Sequence, residues 1–110
     1  MANEAVKQLT ILYRLEPGCL GPDGVDHIEA FCLLVQKALT AKGNVHYKWQ
    51  VVPRFDKSKP EIQFTLNGKS LTEQQAQKYL SMLTIELDNV IDGFEDMLTK
   101  MINQYIARKA

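Results

Sequence analysis

The stretch "NVHYKWQVVPRFDKSKPEIQFTL", residues 44–66, decides how this chain folds. In its first part Val45, Tyr47, Trp49 and Val51 alternate with His46, Lys48, Gln50 and Val52. In its last part Ile62, Phe64 and Leu66 alternate with Glu61, Gln63 and Thr65. Successive side chains of an extended chain point to opposite sides, so a period of two marks a strand with one buried face. Pro53 and the polar run "RFDKSKP" break the alternation, because proline gives a sheet no N–H to pair. The stretch reads as two strands forming a hairpin with a long tip.

Upstream, "VKQLTILYRL", Val6 to Leu15, repeats the pattern with Leu9, Ile11, Tyr13 and Leu15 on one side. "DHIEAFCLLVQKALTAKG" then changes period. Ile28, Phe31, Cys32, Val35 and Leu39 fall on one helical stripe, with Gly43 placed to end it. Asp26 with Glu29, or Asp23, serves as its N-terminal cap.

Downstream, "NGKSLTEQQ" predicts a turn and a helix start: Thr72 and Gln75 make a capping box, with Leu71 and Ala76 placed to staple it. Leu80, Leu83, Leu87, Val90, Phe94, Met97 and Met101 follow at steps of three and four, and Thr84, Ile91 and Leu98 widen the stripe. An unbroken helix from Thr72 to Arg108 would extend about 55 Å, against a radius of gyration near ~13 Å for a compact chain of this size. The helix must break or leave the domain. The β-branched pair Thr84 and Ile85, followed by Glu86, is the favoured break, ahead of Gly93.

Strand, helix, strand, strand, helix, helix packs as an α+β two-layer sandwich in one domain spanning residues 1–110, its three-stranded sheet covered on one face by helices. A right-handed crossover makes the first two strands parallel, and the third is expected between them in the order 2-3-1. The arrangement resembles a ferredoxin-like domain without its fourth strand. That resemblance is one of topology and implies no activity.

A chain of 110 residues buries roughly 65% of its unfolded surface, enough for a core without staples. Thirteen basic residues balance thirteen acidic ones, so no global field draws it to nucleic acid or to a membrane. The start "MANEAVKQ" lacks the pattern of a signal peptide and no apolar run reaches membrane-spanning length, which leads to a cytoplasmic expectation. Cys19 and Cys32 are then thiols, too few for a disulfide framework or a structural zinc site.

The loop "LEPGCLGPDGVDH", residues 15–27, joins a strand end to a helix start, where free N–H groups favour an anion. Cys19, Gly21, Gly24 and His27, with Arg54 from the hairpin tip, form the candidate ligand site. Turn chemistry alone also explains these residue types. Cys19 has no C-x-x-C partner and no arginine stands where a cysteine phosphatase loop needs one, so no residue is assigned as catalytic. Asp88, Asp92, Glu95 and Asp96 repeat along a helix without an accompanying histidine, which reads as a solvated face; no metal or cofactor is expected. The uncovered sheet face lacks the aromatics on which RNA bases stack, which leaves the Arg54, Lys57 and Lys59 tip as the only local support for nucleic acid.

The expectation is a non-enzymatic protein-interaction module, a homodimer packed through Leu87, Ile91, Phe94, Leu98 and Met101. The alternative is a small anion- or ligand-binding protein, or a thiol enzyme, with its site at the Gly18 to His27 loop.

Overall fold

The computed structural model describes residues 8–109, and Val6 and Lys7 of the first expected strand lie outside that range. Strand β1 runs Leu9–Leu15, helix α1 Gly24–Lys42, β2 Tyr47–Pro53, β3 Ile62–Leu66, β4 Lys69–Leu71, α2 Glu73–Ser81 and α3 Leu87–Lys109. A 3-10 turn, Pro17–Leu20, lies between β1 and α1.

The α+β class and the helix-covered sheet agree with the expectation, but the strand order does not. The sheet has four strands in the order β2-β1-β3-β4, so β1 lies between β2 and β3, where β3 was expected between β2 and β1. β1 pairs parallel to β2, with Ile11 opposite Trp49, and antiparallel to β3, with Ile11 opposite Phe64. The expected hairpin of β2 with β3 is replaced by a passage around the end of β1.

The polar run that looked like a hairpin tip makes this passage. After Pro53 the Arg54 N–H donates to the Leu15 carbonyl at 2.8 Å, and the chain returns to pairing where the Arg14 N–H donates to Glu61 at 2.7 Å. Two arginines fasten the loop between. Arg14 donates to the Pro60 carbonyl at 2.7 Å, and Arg54 donates to the carbonyls of Lys57 and Lys59 and to Glu16 Oε2 at 2.6 Å.

The true hairpin is β3 with β4, closed at Asn67 and Gly68. Both have positive φ, 53° and 81°, as a two-residue turn matched to strand twist requires. Three residues of β4 pass without an alternating signature, so sequence periodicity does not register the fourth strand.

Side-chain parity holds through the paired strands. Leu9, Ile11, Leu15, Val51 and Phe64 are buried under the helices, while Lys48 and Gln50 are exposed. Val45 departs from the pattern: it precedes β2 and is 68% exposed. The core has two lobes. One joins Leu15, Leu20, Ile28, Phe31 and Val35 to Phe94 and Leu98; the other joins Leu9, Ile11 and Phe64 to Ala76, Leu80 and Leu87. Half-buried Trp49 packs against both.

The capping box of α2 forms as expected, with the Gln75 N–H donating to Thr72 Oγ1 at 3.1 Å and the Thr72 N–H to Gln75 Oε1 at 2.8 Å. The helical stripe breaks over residues 82–86, where Thr84 takes a φ of 59°, and continues unbroken through Gly93. At the start of α1 Asp23 holds the cap position without a side-chain cap bond, and Asp26 is already helical.

Candidate functional site

The glycine loop is filled by its own chain. Leu20 from the 3-10 turn is buried in the first lobe of the core, and half-buried Cys19 packs against that lobe. Gly24 is buried so closely against the turn that a Cβ there would stand 1.7 Å from the Pro17 carbonyl oxygen. Gly21 takes a φ of 99°, a left-handed conformation that glycine adopts freely. The glycines at 21 and 24 therefore have structural roles.

The other members of the expected ligand set are engaged by protein partners. His27 turns to α3, where its Nδ1 lies 3.4 Å from the Tyr105 hydroxyl. Arg54 is engaged by Glu16 and the loop carbonyls, and this guanidinium holds the Glu16 carboxyl below its ordinary range. Burial raises the Cys19 thiol, and burial followed by the neighbouring Cys19 and Glu29 pushes Cys32 up to about 11. A raised thiol holds less thiolate at a given pH, and thiolate is the nucleophile. Iodoacetamide should thus alkylate both cysteines of the folded chain more slowly than free cysteine at about pH 8. The pH–rate curve should be displaced to higher pH, whereas a Cys19 faster than the free amino acid would restore the thiol-enzyme reading.

A different site lies on the helix-covered side at the β2 edge of the sheet. A groove of about 480 Å³ opens between the C-terminal half of α1, β2 and the first half of α3. Trp49 lines it. The indole stacks on Phe94 with ring centroids 4.1 Å apart and planes 12° apart, and Phe94 in turn meets Tyr13 at 4.8 Å. Phe94 is 3% exposed, so it is a fixed backing to the half-buried indole.

The backbone under Trp49 is fixed as well. Gln36 of α1 donates through Nε2 to the Trp49 carbonyl at 2.9 Å, and its Oε1 accepts from the Val51 N–H at 2.9 Å. One amide thereby takes the place of a neighbouring strand along the outer side of β2. Leu39, Val90 and Met97 add apolar wall, Gln8, Asn44 and Asn89 add amides, and Lys42 and Lys48 bring positive charge. Among the described residues the lining contains no carboxylate, histidine or thiol.

Of the residues expected at a helix-to-helix dimer contact, Leu87, Phe94 and Leu98 are 1%, 3% and 6% exposed in the single chain, while Ile91 and Met101 are half-buried against the two lobes. Among the described residues no group of three or more histidine, cysteine or acidic side chains is placed to hold a metal ion. No described helix is long and apolar enough to cross a membrane.

By sequence alone Trp49 and Tyr47 are accounted for by packing and Gly93 by a possible helix break, and nothing marks Gln36. The available clue was Gly93, a glycine within an otherwise strong helical pattern. No protein-family model, curated protein or solved structure matches the chain.

Proposed function

We propose that the protein is a non-enzymatic binding module that holds a small, largely apolar ligand in the groove between α1, β2 and α3. The observation carrying this reading is the half-buried Trp49 ring, fixed by Phe94 behind it and by Gln36 beneath it, in a groove of about 480 Å³. Ligand sites commonly have volumes of about 300–1,000 Å³, apolar walls and a few placed polar groups. A platform already held in position spares the ligand the entropy of ordering it. The described lining residues offer apolar surface, amides and ammonium groups, which suit recognition, and among them is no acid–base pair or nucleophilic thiol. Self-association through α3 has less support, because three of its five proposed contact residues are occupied in the monomer core.

Trp49 is the only tryptophan in the chain, so its fluorescence reports directly on the groove. Titration with soluble one- and two-ring compounds and short-chain amphiphiles should change that emission with Kd values below about 1 mM for at least one class. Amide shift changes should cluster at Tyr47, Trp49, Val90 and Gly93. Changes confined to residues 15–27, or none from any class, would overturn the assignment.

A further inference from the structure

Gly93 sits inside α3 beside Phe94, on the wall of the groove, where glycine is the least favoured residue apart from proline. Neither packing nor conformation asks for it: a Cβ there would meet nothing within 4 Å, and φ is not positive. The cost to the helix is left without a return inside the chain itself. What the missing side chain does provide is open space next to the Trp49 and Phe94 stack.

Among the described residues the charge lining this groove has one sign. Lys42 near the end of α1 and Lys48 on β2 line it, both exposed, and neither has an ion-pair partner among the described residues. No acidic residue among those described lines the same groove. The two rings lie nearly parallel, so a further flat ring can extend the stack in the offset geometry that aromatic pairs prefer.

Resting on the groove as the binding site, we infer that its ligand is a flat aromatic ring carrying an anionic group, the ring in the space beside Gly93 and Trp49 and the anion toward Lys42 and Lys48. Gly93 sets the ring specificity and the two lysines set the charge specificity. The full chain is titrated with naphthalene-2-sulfonate, naphthalene-2-methanol and octanoate, following the amide of Gly93 and the indole N–H of Trp49 by nuclear magnetic resonance.

The sulfonate should bind about tenfold tighter than either other compound. The Lys42→Met, Lys48→Met double variant should bring the sulfonate to within about threefold of the alcohol and leave the alcohol unchanged. Gly93→Ala should raise Tm by about 4 °C, since alanine favours the helix and has room, while weakening both naphthalene compounds about fivefold. Equal binding of alcohol and sulfonate overturns the anion assignment and leaves the groove reading standing, as octanoate matching the sulfonate does for the ring. Unchanged ring binding by Gly93→Ala removes that residue from the specificity. Silence at Gly93 and Trp49 with all three compounds overturns both the ligand class and the groove.

Discussion

Phe94→Ala is expected to lose about 3–5 kcal/mol of folding stability, a large part of what a domain of this size possesses. Phe94 lies 3% exposed between Tyr13 and Trp49 and joins α3 to the covered face of the sheet. Truncation removes the transfer energy of a buried ring and leaves a void that the neighbouring aromatic rings fill only partly. Phe94→Leu, which retains most of the volume without the ring, should lose about 1.5 kcal/mol or less. Urea denaturation of the two variants measures the difference, and Trp49 emission should move to longer wavelength in the alanine variant as water reaches the indole. A loss below about 1 kcal/mol for Phe94→Ala would mean that α3 does not seat on the sheet through this ring.

Gly24→Ala should cost about 3 kcal/mol or more by a different route. The added methyl meets the Pro17 carbonyl oxygen at 1.7 Å and its carbon at 2.6 Å, both backbone atoms, so no side-chain rotation relieves the overlap. The 3-10 turn and the start of α1 must separate, and buried Leu20 is drawn out with the turn. Gly18→Ala is the control. A Cβ there meets nothing within 4 Å and the backbone is not left-handed, so its thermal midpoint should stay near that of the parent. If Gly24→Ala proved as stable as Gly18→Ala, the loop would have the spare room of a pocket, and its original reading as a ligand site would return.

Much of the local architecture was legible from residue type because short-range physics determines it. Leu9, Ile11 and Trp49 turned to the covered side because a strand has only two faces, and Thr72 with Gln75 began α2 because its first N–H groups need acceptors. Strand order was not legible in the same way. Alternation states which face of β2 and β3 is buried, but not whether another strand lies between them. The loop that carries the chain past β1 is held by Arg14 and Arg54, and its polar composition suits a hairpin tip equally well.

The groove was less legible still. Gln36, Trp49 and Gly93 belong to three elements and meet only after the sheet order and helix packing are fixed. Trp49 shares the parity of true core residues, and nothing in that parity distinguishes a fully covered ring from one left open on a side. The candidate loop, by contrast, was conspicuous because prolines and glycines are conspicuous. At Gly24 the loop's backbone packs closely against Pro17.

The central place of β1 has a consequence for how the chain matures. Both of its hydrogen-bonded neighbours come later in the polypeptide, β2 ending at Pro53 and β3 at Leu66. At ribosomal rates of about 5–20 residues per second, the end of β3 is polymerised roughly 3–10 s after the end of β1, and the strand cannot acquire its second partner sooner. A nascent chain halted before residue 62 therefore carries an apolar ribbon with at least one edge unmatched, open to pairing with another chain.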